Sequence, residues 1–254
     1  MKKMNRSRLQ RVVTTVLALV MVFMMVLPTE AATNKALCIK TNFNGMNYEK
    51  NGDKYSYNNS YMSVFYDTQK AATVSKLKLS GVTYIPKKIL DKKNATATVN
   101  MYIDIDKKNE YYGSVIGRYN ITAVKEGKKI KLYAWDEQMQ KNVKVPKTVS
   151  IKAGKGAYKQ YYILTLKNMP LCNKVVFDNG KSRKLKAKDA FKYRVASTIA
   201  VENYKGKADI YLDNIVVTSA AKKLVNINFN KKVNVDVINR DKVMSHKNYG
   251  IKKF

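Results

Sequence analysis

Period-2 alternation constrains this chain more than any other feature. Residues 95–105 put Ala97, Val99, Met101, Ile103 and Ile105 on one side and Thr96, Thr98, Asn100, Tyr102 and Asp104 on the other. Successive side chains of a strand point to opposite faces, so this segment lays an apolar face on a core and turns a polar face outward. Comparable runs recur at 37–43, 61–66, 76–79, 114–123, 129–135, 148–151, 161–167, 174–177, 193–201 and 209–218. Hardly any stretch sustains a helical period. Clusters of Gly, Asn, Asp and Lys punctuate the runs, which is the pattern of an all-β chain. Glu126-Gly127 marks a hairpin within 121–130, and Phe177-Asp-Asn-Gly-Lys181 carries Asn-Gly, the strongest kind of short hairpin signal. Strands at this spacing predict a two-sheet antiparallel β-sandwich of jelly-roll type.

The first 31 residues follow other rules. Lys2, Lys3, Arg6, Arg8 and Arg11 precede an uncharged, apolar run from Val12 to Leu27, and small residues stand at Thr29 and Ala31. That order is the signature of a secretory signal. The alternative is an uncleaved N-terminal anchor, but the run of 16 residues is short against the about 20 that a membrane span needs. The expected organisation is a secretory signal over 1–31, a β-sandwich binding module over 32–218 and a basic C-terminal extension over 219–254. The extension reads either as one extra edge strand with a loose tail or as a truncated second module. The second reading rests on Asn228-Phe229-Asn230, which echoes Asn42-Phe43-Asn44. The expected location is secreted or extracellular, in association with a cell wall, with no stable membrane insertion once the signal is cleaved.

Charge narrows the partners. The chain has 49 Lys and Arg against 18 Asp and Glu; removing the leader leaves 44 against 17, a net of +27. Inside a cell such a balance suggests nucleic acid. Outside, it suits wall polymers, acidic polysaccharides and anionic head groups instead. Lysines spread along the whole sequence also read simply as a solvated surface. Cys38 and Cys172 are the only cysteines. They permit one long-range disulfide in an oxidising compartment, or two buried thiols.

Three segments resemble extracellular jelly-roll carbohydrate-binding modules of the galactose-binding-like and concanavalin A-like sandwich types. Gly206-Lys-Ala-Asp-Ile-Tyr-Leu-Asp-Asn-Ile-Val-Val217 is similar to their closing strand. Tyr158-Lys-Gln-Tyr-Tyr-Ile-Leu-Thr-Leu166 is similar to an inner strand, and Ile39-Lys-Thr-Asn-Phe-Asn-Gly45 to the opening one. The resemblance spans roughly 37–218. It implies a structural Ca²⁺ held by Asn44 and Asp213, although Asn stands where those modules usually carry an acid and calcium prefers several anionic oxygens. It also implies a glycan site of rings and hydrogen-bonding side chains. The residues suited to that role are Tyr102, Tyr119, Tyr133 and Trp135 for stacking, with Asn100 and Arg118 as polar contacts. Tyr111, Tyr112, Asp104 and Asn120 stand close by in sequence. Tyr102, Tyr119 and Tyr133 fall on neighbouring expected strands and are read as one stripe, and the same tyrosines also suit plain sheet surface.

Little in the sequence suggests catalysis. Asp104, Asp106 and Glu110 cluster, but around a turn-like segment rather than flanking a bond as glycoside hydrolysis requires. Ile151-Lys-Ala-Gly-Lys-Gly-Ala-Tyr-Lys-Gln160 resembles a strand of jelly-roll alginate lyases, with two residues inserted before Tyr158. The lone His246 lies in the basic extension, so no base accompanies that tyrosine. The sequence therefore reads as a non-enzymatic module that binds polysaccharide, anionic by preference, and not nucleic acid. A structural or adhesive surface protein with a protein partner is the main alternative, and a lyase-like enzyme comes third.

Overall fold

A computed structural model describes residues 35–44, 61–67, 71–105, 113–177, 180–220, 222–227, 235–239, 242–246 and 251–253. The leader, the polar stretch 46–60, Tyr111, Tyr112, Asp106, Glu110 and the Asn228–Asn230 echo lie outside the described residues. Strands dominate: β1 (Lys35–Asn44), β2 (Tyr61–Asp67), β3 (Ala72–Thr73), β4 (Leu77–Pro86), β5 (Thr96–Ile105), β6 (Gly113–Val115), β7 (Tyr119–Glu126), β8 (Lys129–Asp136), β9 (Lys141–Val143) and β10 (Val149–Ala153). They continue with β11 (Tyr161–Pro170), β12 (Lys174–Phe177), β13 (Ser182–Lys184), β14 (Ala190–Phe191), β15 (Tyr193–Glu202), β16 (Lys205–Ser219), β17 (Lys222–Ile227), β18 (Val235–Asn239), β19 (Lys242–His246) and β20 (Ile251–Lys253). One helical turn, Lys87–Leu90, follows β4.

The alternation read from β5 holds residue by residue. Ala97, Val99, Met101, Ile103 and Ile105 are buried, and the intervening side chains are half-exposed. Apart from a two-stranded ribbon of β3 and β14, the strands form two antiparallel sheets that curl into a half-barrel, an all-β sandwich. One sheet runs β10-β11-β4-β16-β1-β20, with β17 also on β16; the other runs β13-β12-β6-β5-β15-β2-β18-β19, with β7, β8 and β9 extending from β5. Leu79, Leu164, Ile210, Leu212 and Ile215 from the first sheet share one apolar core with Val99, Met101, Ile103, Val195 and Ile199 from the second. Burying each such side chain contributes about 1.5–3 kcal/mol. Gly81 sits where the sheets press closest: a Cβ there would lie 3.1 Å from Met101 Sδ.

Two bulges explain the curl of the first sheet. Between Asp213 and Val216, β16 advances one residue more than β4, and β11 does the same between Leu166 and Met169. Each carries an asparagine in the left-handed region, Asn214 at φ 53° and Asn168 at φ 53°. Asparagine tolerates that conformation better than most residues, and an extra residue bends its strand. The two bulges flank the same stretch of β4, so both neighbours bend at one level. The Asn168 N–H donates to Ser80 Oγ at 2.9 Å.

One expected strand needs correction. The run 114–123 is two strands, not one. From Val115 to Ile121 the chain advances six residues while β5 advances four, from Ile103 to Val99. The surplus, Ile116–Arg118, pairs instead with the end of β11: Arg118 N–H donates to Pro170 O at 2.9 Å and Cys172 N–H to Ile116 O at 2.8 Å. Within 219–254, the described strands pair with the body of the fold: β17 joins β16, β18 joins β2 and β20 joins β1. Of the two readings of the cysteines, Cys172 takes the second: it is a free, buried thiol.

Candidate functional site

The face of the second sheet turned away from the core carries most of the residues singled out from the sequence. Cross-strand register arranges them in rows. Thr98, Thr122 and Tyr133 form one row; Asn100, Asn120 and Trp135 form the next. Thr98 and Thr122 share a hydroxyl–hydroxyl hydrogen bond at 2.9 Å. Asn100 Nδ2 donates to Asn120 Oδ1, and Asn120 Nδ2 donates onward to Glu137 Oε1. Trp135 is half-buried beside this chain of amides, between Asn120 and Asn142. Tyr133 is 47 % exposed, and its hydroxyl donates to Glu126, a hydrogen bond that pushes the phenol pKa up.

Tyr119 does not belong to this face. It alternates with Asn120 and shares the inward side with Ile121 and Ala123, where it packs against the edge of the core. The expected stripe of Tyr102, Tyr119 and Tyr133 is therefore interrupted. Arg118 has a positioning task. Its guanidinium lies 5.4 Å from the Tyr119 ring centroid, and Nε donates to Asp136 Oδ2 at 2.8 Å. That hydrogen bond raises the Arg118 pKa. Asp136 is 1 % exposed, and its other oxygen accepts from the Gln138 and Met139 N–H groups, each at 3.0 Å. One buried carboxylate thus ties Arg118 to the turn that leaves β8.

This turn forms one wall of a groove of about 780 Å³, whose floor includes Ile116, Cys172 and Val176. Glu137, Gln138 and Gln140 line the turn side. Gln140 Nε2 donates to Glu137 O at 2.5 Å and to its Oε2 at 3.1 Å, and Gln138 Oε1 accepts from Asn173 N–H at 3.2 Å. The β12–β13 hairpin forms the other wall. There Lys174 stands directly across from Lys184, and Val176 across from Ser182. Arg183 is bound to Asp189 at 2.6 Å, which holds that carboxyl below the usual range. Lys174 and Lys184 have no ion-pair partner among the described residues. Like charges directly opposite on a sheet are destabilising, so this pair costs stability while the groove is empty. Burial, followed by the Glu137 and Asp136 charges, pushes the Cys172 thiol up to about 11. The groove floor therefore holds a protonated, unreactive sulfur near neutral pH.

Tyr102 lies on β5 between Asn100 and Asp104 on the outward face, half-exposed and across from Ala196. Of the residues expected at a glycan site, Arg118 braces the turn that walls the groove, Tyr102, Asn100, Trp135 and Tyr133 lie on the outward face of the same sheet, and Tyr119 turns inward. The groove's own cations and amides, Lys174, Lys184, Gln138, Gln140 and Asn173, escaped the sequence reading. One signal was partial: Asn179-Gly180 announced a hairpin, but a two-residue turn there would set Lys174 opposite Leu185, one residue from the observed register. The Asp136 turn gave none, because its wall depends on contacts with Arg118 and Asn173 from connections elsewhere in the chain.

The calcium pair fails on geometry. Asn44 is paired with Lys205, eight residues along β16 from Asp213, a separation of about 27 Å at strand rise. One ion cannot bridge them. Asp213 is buried and serves the bulge instead, accepting from Asn214 N–H at 2.7 Å and from Asn214 Nδ2 at 3.1 Å. Among the described residues, no three His, Cys, Asp or Glu side chains converge as metal ligands. No family model and no curated protein sequence matches this chain.

Proposed function

We propose that this is a secreted, non-catalytic module that binds an acidic polysaccharide in the groove between the Asp136 turn and the β12–β13 hairpin. The observation that carries this reading is the Lys174–Lys184 pair, two cations set against each other with no ion-pair partner among the described residues, on the wall of a groove of about 780 Å³. An anionic ligand removes their repulsion. Carboxylate or phosphate groups of a polymer would meet the two ammonium groups, and sugar hydroxyls would meet Gln138, Gln140 and Asn173 across the groove. On the outward face of the same sheet, Tyr102 adds a ring able to stack on a sugar face. The leader, read as an export signal, and the surplus of basic residues place such a module at an anionic wall or matrix.

Affinity electrophoresis and a glycan array test this reading at about 0.15 M and about 1 M salt, between which the Debye length falls from about 8 Å to 3 Å. Retention by particular acidic glycans, weakened but not abolished by salt and reduced in Tyr102→Ala, supports it. Equal retention by every polyanion at low salt alone, indifferent to the groove, contradicts it.

A further inference from the structure

We infer that the outward face of the first sheet carries a second saccharide site, a cleft for one neutral sugar ring built around Tyr161 and Asp209. It goes beyond the groove reading, since the two sites lie on opposite sheets and share no residue.

The residues come together by register. Tyr161 lies across from Pro86, and Tyr84 lies between Ile163 and Tyr211, so Tyr84, Tyr161 and Tyr211 all point away from the core. Three large rings on an outward face are costly unless they pack on one another, and these do. Tyr161 meets Tyr211 edge to face, 5.4 Å between centroids at 87°, and meets Tyr84 at 6.5 Å and 88°. Tyr158, from the 3-10 turn Gly156–Tyr158, stacks on Tyr84 at 5.4 Å and 26°. Tyr84 and Tyr211 are buried in this cluster, and Tyr161 is half-exposed. Two perpendicular neighbours fix the Tyr161 ring before any ligand arrives.

That fixed ring borders a cleft of about 330 Å³ whose lining includes Pro86, Lys88, Gln160, Lys207 and Asp209. Its volume is at the small end of ligand pockets, the size of a single ring rather than a chain of them. Lys88 Nζ donates to Lys207 O at 2.6 Å, so that ammonium braces the cleft. Asp209 is half-exposed and makes no ion pair among the described residues, although Lys88 and Lys207 border the same cleft. An ionised carboxylate only accepts hydrogen bonds, and its two oxygens match the paired hydroxyls of a pyranose. Gln160 supplies both a donor and an acceptor. A rigid aromatic face, a paired acceptor and an amide recognise an uncharged hydroxylated ring.

Calorimetric titration of the whole protein with glucose, mannose and galactose β-1,4-hexasaccharides tests the inference. One of the three binds, with an affinity equal at about 0.15 M and about 1 M salt. Tyr161→Ala and Asp209→Asn each weaken it by about tenfold or more, Tyr161→Phe retains most of it, and Lys174→Ala/Lys184→Ala leaves it unchanged. Asp209→Asn keeps the test valid if Tyr161→Ala fails to fold. Binding of none of the three, or binding indifferent to Asp209→Asn, overturns the inference. So does binding lost in the lysine variant. Because the groove is read with acidic polymers and the cleft with neutral ones, failure of either leaves the other standing.

Discussion

The two outward faces of this sandwich solve the problem of an exposed surface in opposite ways. On the first sheet, Tyr84, Tyr158, Tyr161 and Tyr211 pack edge and face against one another, so the features that could hold a ligand also hold the sheet. On the second, the groove sets Lys174 against Lys184 and leaves them unneutralised, a local cost to the fold. Binding and stability coincide on one face and oppose each other on the other. Mutations at the tyrosine cluster should therefore damage both properties together, and mutations at the lysine pair should separate them.

The largest expected effect lies beneath the groove. A Cβ at Gly117 would sit 2.0 Å from the Met101 carbonyl oxygen and 2.4 Å from Asn100 Oδ1. Backbone cannot yield there, so Gly117→Ala should cost on the order of 3 kcal/mol or more, read by urea denaturation. Near-normal stability would mean that the break between β6 and β7 is softer than described. Asp136→Ala comes next. It leaves Arg118 and two turn N–H groups without their acceptor and should cost about 2–3 kcal/mol, with loss of acidic-glycan binding because the wall collapses. Loss of stability with binding intact would detach the turn from the site.

The sequence exposed the skeleton of this arrangement more readily than its working parts. The alternation of β5 and the Asn179-Gly180 hairpin are local, and local rules set them. The break at Ile116–Arg118 is not local: these three residues leave β5 because Pro170–Cys172, far along the chain, offers them hydrogen bonds. Tyr119 was legible in principle, since its parity groups it with Ile121 and Ala123, but its aromatic neighbours suggested a stripe. The Asp213-Asn214 motif looked like a metal ligand because its bulge, which exists only in register with β4, cannot be seen in one strand.

Alkaline pH sharpens the comparison at smaller amplitude. Tyr84 is pushed up to about 12, first by burial and then by Asp213 and Tyr158, and Cys172 is pushed up to about 11. Both acids are neutral when protonated, and the folded state keeps their protons where the unfolded chain has released them. Their contribution is therefore complete below about pH 9 and lost as pH rises through 9 to 12. Cys172→Ala should flatten the lower part of that decline, and Tyr84→Phe the upper part, in denaturation midpoints measured across the range. A decline untouched by both changes would assign it to other groups. The smallest effect is expected at Tyr133. This exposed ring is held by Glu126 alone among its described hydrogen-bond partners, so Tyr133→Ala should change stability by less than about 1 kcal/mol.

The Lys174–Lys184 pair carries the central claim, and one comparison addresses it directly. Retention on an immobilised polyuronate at about 0.15 M salt would be measured for the unmodified protein, for Lys174→Ala/Lys184→Ala, and for Lys92→Ala/Lys93→Ala. The last removes the same charge from an exposed turn elsewhere. The groove variant should lose about tenfold or more in affinity while its stability holds or rises by up to about 1 kcal/mol, and the turn variant should bind almost as before. Equal losses in the two variants would contradict the account, because net charge alone would then explain the binding.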